Sequence, residues 1–85
     1  MELQVEAPVH LVTIHVNDQP VNVAGPKRSG IDIKQAAIAQ GVQIQLDFAL
    51  SELVPEGGTR SIGNDDVVTV TKNSRFSAID VDDNS

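Results

Sequence analysis

Apolar and polar residues alternate along two early stretches of the chain. Val12, Ile14 and Val16 are interleaved with Leu11, Thr13 and His15, and Val21 and Val23 with Asn22 and Ala24. A repeat of two buries one face of a strand and leaves the other in water. Between the two runs, Asn17-Asp18-Gln19 has the chemistry of a turn. Pro20 stands at the mouth of the second strand, where its missing N–H costs least. The pattern predicts a β-hairpin.

After Gly25-Pro26 the period lengthens. Ser29 is placed to cap a helix, with Asp32 three residues on in a shortened capping box. Ile33, Ala36, Ala37 and Gln40 share one helical face, with Ile38 at its margin, and Gly41 suits the left-handed residue after the last turn. A helix is expected over residues 30–40. From Val42 to Leu50 alternation returns, read as an extended connection leading into a strand. Leu53-Val54 reads as a very short edge strand closed by Pro55-Glu56-Gly57-Gly58, and residues 59–63 as a loop or single helical turn with Ile62 turned inward. The acidic turn Asn64-Asp65-Asp66 then feeds Val67-Val68-Thr69-Val70-Thr71, whose β-branched residues suit a half-buried strand. Residues 1–8 and 73–85 are expected to be mobile flanks of a folded body spanning residues 9–72.

A single helix can cover only one face of a sheet, so the expected class is α+β in two layers, with a mixed sheet of four or five strands. If the last strand returns beside the first, the pair is parallel and its crossover right-handed. That is the β-grasp arrangement.

Composition narrows the chemistry. Twelve acidic residues against six basic ones give a formal charge of −6, which repels nucleic acid, and Phe48 and Phe76 offer no base-stacking platform. A basic partner surface is expected instead. With no cysteine there is no disulfide, thiolate metal site or thiol nucleophile. No signal-peptide pattern and no apolar run of membrane-spanning length occurs, so a cytoplasmic protein is expected.

No catalytic constellation emerges. His10 and His15 fall on opposite faces of a strand, no serine has a nucleophile-elbow setting, and Asp65-Asp66 reads as a solvated turn. Asp80-Val81-Asp82-Asp83-Asn84 opens like a calcium loop but continues with Ser85 instead of glycine and has no later glutamate. Neither an enzyme nor a cofactor is expected. Phe76, with Arg75 and Ile79, is an apolar spot in a polar tail; it either tucks back onto the sheet edge or anchors in a partner's groove.

The run Thr13-Ile14-His15-Val16-Asn17 with Pro20-Val21-Asn22-Val23, the helix opening at Ser29-Gly30 and the block Asp65-Asp66-Val67-Val68-Thr69-Val70 resemble the bacterial multiubiquitin type of ubiquitin-like domain. The resemblance implies a modifier in a bacterial ubiquitination-like pathway of antiviral defence. Its carboxylate would be adenylated by an activating-enzyme-like partner, passed to a conjugating-enzyme-like partner and joined to a target amine. On this reading Asp82, Asp83, Asn84 and Ser85 form the conjugation and processing tail, and Arg75, Phe76, Ile79 and Asp80 meet the partner. Residues 72–85 would reach about 45 Å if fully extended. Lys27, Lys34 and Lys72 could accept a further copy and so build chains.

Two departures from that pattern matter. The only Gly-Gly, Gly57-Gly58, is internal, so Asn84 or Ser85 would be the residue activated, with a processing peptidase as a further partner. The positions laid over ubiquitin's apolar recognition patch read Asp47, Thr69 and Thr71, too polar to bind ordinary ubiquitin receptors well. The alternatives are a β-grasp interaction module that is never conjugated, and a sulfur carrier, whose chemistry also relies on a terminal diglycine.

Overall fold

The computed structural model describes residues 10–81. The expected hairpin forms from β1 (His10–Val16) and β2 (Gln19–Gly25), in register from His10↔Gly25 to Val16↔Gln19. Its two-residue turn holds Asn17 at φ 52° and Asp18 at φ 68°. Both are left-handed, which matches the twist of the flanking strands, and Asn and Asp tolerate that conformation better than other side chains.

A short strand, β3 (Lys27–Ser29), leads into α1 (Gly30–Ala39). The capping box is present: Ser29 Oγ accepts the Asp32 N–H at 3.2 Å, and Asp32 Oδ2 accepts the Ser29 N–H at 3.3 Å. The first two helical N–H groups are satisfied from the other side of the chain, Gly30 by the Asp66 carbonyl at 2.9 Å and Ile31 by the Asn64 carbonyl at 3.1 Å. Gln40 caps the helix and Gly41 follows at φ 100°.

Four more strands complete the body: β4 (Ala49–Val54), β5 (Gly58–Ile62), β6 (Val67–Thr69) and β7 (Arg75–Ile79). Five of them form one mixed sheet in the order β2-β1-β7-β4-β5, and β3 pairs with β6 in a separate two-stranded sheet. The helix packs on one face of the large sheet, giving a ubiquitin-like α+β grasp. Ile33 and Ala37 of α1 meet Ile14, Val16, Val21, Val23, Leu50, Phe76 and Ala78 in the core.

The expectation that the body ends at residue 72 is corrected. The strand lying parallel to β1 is β7, inside the expected tail, and it occupies the centre of the sheet. Phe76 and Ala78 are each 2% exposed while Arg75 and Ile79 are open to solvent. That is a strand's period of two, hidden in the sequence because alanine and serine carry so little hydropathy contrast. The run Val67–Thr69 is a peripheral strand instead, paired with Lys27–Ser29. Residues 59–63 are mostly strand as well, since β5 pairs with β4 from Val54↔Gly58 to Leu50↔Ile62.

Between α1 and β4 the chain alternates without pairing. Val42 and Ile44 are buried, but carbonyls further along turn toward Lys34. Its side chain is only 4% exposed, and its Nζ donates to the Leu46 carbonyl at 2.6 Å and the Phe48 carbonyl at 2.8 Å. A lysine this buried needs such partners. It pins the connection to the helix.

Candidate functional site: the last strand and its exit

The end of β7 is where the folded body releases the chain toward its carboxyl terminus. The strand is gripped from both sides. His15 N–H donates to the Ser74 carbonyl at 3.1 Å and Asn17 N–H to the Phe76 carbonyl at 2.9 Å, while β4 pairs antiparallel from Leu53↔Arg75 to Ala49↔Ile79. Where β1 turns away after Val16, the Asn17 side chain continues its ladder. Asn17 Oδ1 accepts the Ala78 N–H at 2.9 Å, and Asn17 Nδ2 donates to the Ala78 carbonyl at 3.0 Å. The carboxamide stands in for the peptide unit that β1 no longer supplies.

At the other end of the strand, Ser74 Oγ accepts the Thr71 N–H and Ser74 N–H donates to the Thr71 carbonyl, both at 2.9 Å. β7 is thus fixed before it begins and, on the β1 side, held until its penultimate residue.

The expected partner-binding residues do not form one cluster. Phe76 belongs to the core and is corrected from a partner anchor to a packing residue, since no groove of another protein can reach it. Arg75 is exposed on the helix-free face, its guanidinium 3.3 Å from the Asp18 carboxylate. Such an open pair stabilises little. Ile79 shares that face but lies four residues on, about 13 Å along the strand. It is 55% exposed. Asp80 and Val81 follow it, both open to solvent. The structure therefore gathers Ile79, Asp80 and Val81 at the exit and leaves Arg75 apart. Residues 82–85, which carry Asp82, Asp83, Asn84 and Ser85, lie outside the described residues, as do residues 1–8.

The helix-free surface also differs from the one expected. With β7 at the centre, the helix-free surface over the middle strands is formed by Ser51 and Leu53 of β4 and Arg75, Ser77 and Ile79 of β7. Asp47, Thr69 and Thr71 belong to neither strand, and Thr69 and Thr71 border the surface beside Leu53 and Arg75. A hollow of about 340 Å³ there is lined by His15, Asp18, Leu53 and Arg75, and a larger groove of about 700 Å³ runs between Leu53, Pro55, Thr69 and Thr71.

Charge is distributed unevenly. All six basic residues and eight of the twelve acidic ones fall within residues 10–81, so four of the acids lie in the flanks. Among the described residues no cluster of His, Asp or Glu could hold a metal ion, and no helix is long and apolar enough to cross a membrane.

No local pattern in the sequence marks Asn17 as a clamp. Its turn chemistry was legible, but a contact 61 residues away was not. A family model described as Multiubiquitin matches residues 12–80, a span that ends one residue beyond β7. No curated protein and no solved structure matches the chain.

Proposed function

The chain belongs to the Multiubiquitin family, and from that premise we propose that it is a ubiquitin-like modifier of a bacterial conjugation pathway of antiviral defence. It performs no chemistry itself. An activating enzyme joins its terminal carboxylate to the α-phosphate of ATP with loss of pyrophosphate. A partner thiolate then displaces AMP, and a target amine finally displaces the thiol to form an amide. Asn84 or Ser85 is the residue activated, after trimming by a peptidase if Asn84 is used.

The observation that carries this reading is the position of β7. A central strand, held on both sides and clamped at Ala78, lets an enzyme pull on the exit without unravelling the body. The activating enzyme docks at the exit, on the exposed run Ile79, Asp80 and Val81.

A β-grasp interaction module that is never conjugated is the second reading, favoured by how much of the expected tail the sheet consumes. Incubation with the cognate activating enzyme and ATP, followed by intact mass measurement, separates the two. An ATP-dependent covalent adduct through the carboxyl end supports the modifier. A terminal thiocarboxylate indicates a sulfur carrier, and an unchanged mass leaves the interaction module.

A further inference from the structure

The two edges of the large sheet are built differently. On β2, the residues whose backbone faces outward are Pro20, Asn22 and Ala24. Pro20 has no N–H, and the Gln40 side chain occupies Asn22. Gln40 Oε1 accepts the Asn22 N–H at 2.9 Å, and Gln40 Nε2 donates to the Asn22 carbonyl at 2.8 Å. A strand approaching this edge finds it closed.

The β5 edge has no such guard. Ser74 and Phe76 carbonyls and both Ala78 backbone groups are used toward β1, so Arg75, Ser77 and Ile79 bond to β4. Leu50, Glu52 and Val54 consequently face β5, and Thr59 and Ser61 are left with N–H and C=O groups turned away from the sheet. Among the described residues none of these four groups has a hydrogen-bond partner. The strand contains no proline and no bulge, and among the described residues no element packs along its outer side. Exposed edges of this kind are templates for another strand, which natural proteins normally block.

We propose that β5 is a docking edge for an extended segment of another protein, added antiparallel and carrying a carboxylate opposite Arg60. Thr59 and Ser61 supply the backbone pairs. Arg60 lies between them, where cross-strand side chains come closest. Its side chain is 62% exposed although it bonds Glu52 at 2.6 Å, so part of the guanidinium fork remains open to a second acid. Beyond Ser61 the edge opens on a hollow of about 320 Å³ bordered by Phe48, Ile62 and Asn64, suited to an aliphatic side chain two positions from that acid.

A second copy does not fit. Pairing centred on Arg60 sets two guanidiniums face to face. Centring on Ser61 sets Thr59 opposite Gly63, whose N–H is already given to Asp66 Oδ2 at 2.8 Å. Centring on Thr59 sets Ser61 opposite Gly57, whose N–H goes to the Val54 carbonyl at 2.9 Å. Every self-complementary register loses a bond or meets like charge. The proposal is independent of whether the carboxyl end is activated.

The test uses capped peptides alternating Thr and Val around a central Glu, Gln or Lys, titrated into the full chain and followed by NMR and amide exchange. The Glu peptide should slow exchange at Thr59 and Ser61 while leaving Asn22 and Ala24 unchanged. It should bind about fivefold more tightly than the Lys peptide, with Gln between. Arg60→Glu should reverse that order. Ser61→Pro removes only an outward N–H, so it should leave the fold intact and abolish binding. Equal affinity for all three peptides, protection at β2 in place of β5, undiminished binding by the folded Ser61→Pro variant, or a β5-paired homodimer in sedimentation would each overturn it.

Discussion

The side-chain amide of Asn17 is hydrogen-bonded to both backbone groups of Ala78, at 2.9 Å and 3.0 Å. One residue thus serves two ends of the chain: its left-handed backbone turns the first hairpin, and its side chain fastens the last strand. Asn17→Ala removes the amide and leaves a side chain that resists φ 52°. Two partly buried groups lose their partners, so the variant should be about 2–4 kcal/mol less stable. Asn17→Gly relieves the backbone but not the lost bonds, and should fall between. Denaturant midpoints and faster amide exchange at Ala78 check this; a glycine variant as stable as the parent would show that the clamp contributes nothing.

Lys34 should behave unlike the other two lysines. Lys34→Met keeps the stem but strands the Leu46 and Phe48 carbonyls, a loss of about 1–3 kcal/mol. Lys27→Met, on an exposed side chain, should stay within about 0.5 kcal/mol. Acylation followed by peptide mass mapping should label Lys27 and Lys72 well before Lys34. That result would remove Lys34 from the expected acceptors.

Helix propensity alone predicts that Gly30→Ala stabilises the protein by about 1 kcal/mol. Packing predicts the opposite, because a Cβ at Gly30 would come within 2.2 Å of the Gly63 carbonyl oxygen. Backbone must move, and it includes the Asn64 and Asp66 carbonyls that satisfy the first helical N–H groups. A net destabilisation of about 1–3 kcal/mol is expected, measured as a lower Tm.

The Asp32 carboxyl is held below the ordinary carboxylate range, first by its hydrogen bonding with the Ser29 side chain, then by the Ser29 backbone N–H, with Arg28 adding a smaller pull. A carboxylate whose pKa falls on folding contributes stability that is complete above its unfolded value, about 3.9, and disappears as acid protonates the native form. The stability gap between the parent and Asp32→Asn should therefore be widest above pH 5. It should narrow progressively below about pH 4. A gap independent of pH would mean that the charge is not what the cap uses.

The hairpin, the helix and both its caps were legible in the sequence because each rests on local chemistry: alternation of Val and Ile, the Asn17-Asp18 turn, Ser29 with Asp32, Gly41. What was not legible is which late strand reaches the centre. Val67-Val68-Thr69 is strongly β-branched and reads as a core strand, yet it is peripheral, whereas Arg75-Phe76-Ser77-Ala78-Ile79 has one large apolar residue facing inward and holds the middle. Position in the sheet is decided by long-range pairing, including the Asn17 amide, and no local period records it. The site shifts for the same reason: local pattern assigns residues 75–79 to a tail, whereas pairing makes them the central strand.

That shift separates Phe76 from Ile79 experimentally. Phe76 is a fully packed core side chain between β1 and β4, so Phe76→Ala should cost about 3–5 kcal/mol, a large share of what a body this small has. Ile79 is more than half exposed, at the last residue of the strand, and Ile79→Ala should cost less than about 1 kcal/mol with Tm changed by only a few degrees. If the activating enzyme sits against the exit, the folded Ile79→Ala variant should form the ATP-dependent adduct several-fold more slowly than the parent. Phe76→Leu, which keeps an apolar side chain and enough stability to fold, should react at the parental rate. The reverse pattern, a sensitive Phe76→Leu and an indifferent Ile79→Ala, would mean that the partner grips the chain by loosening its central strand.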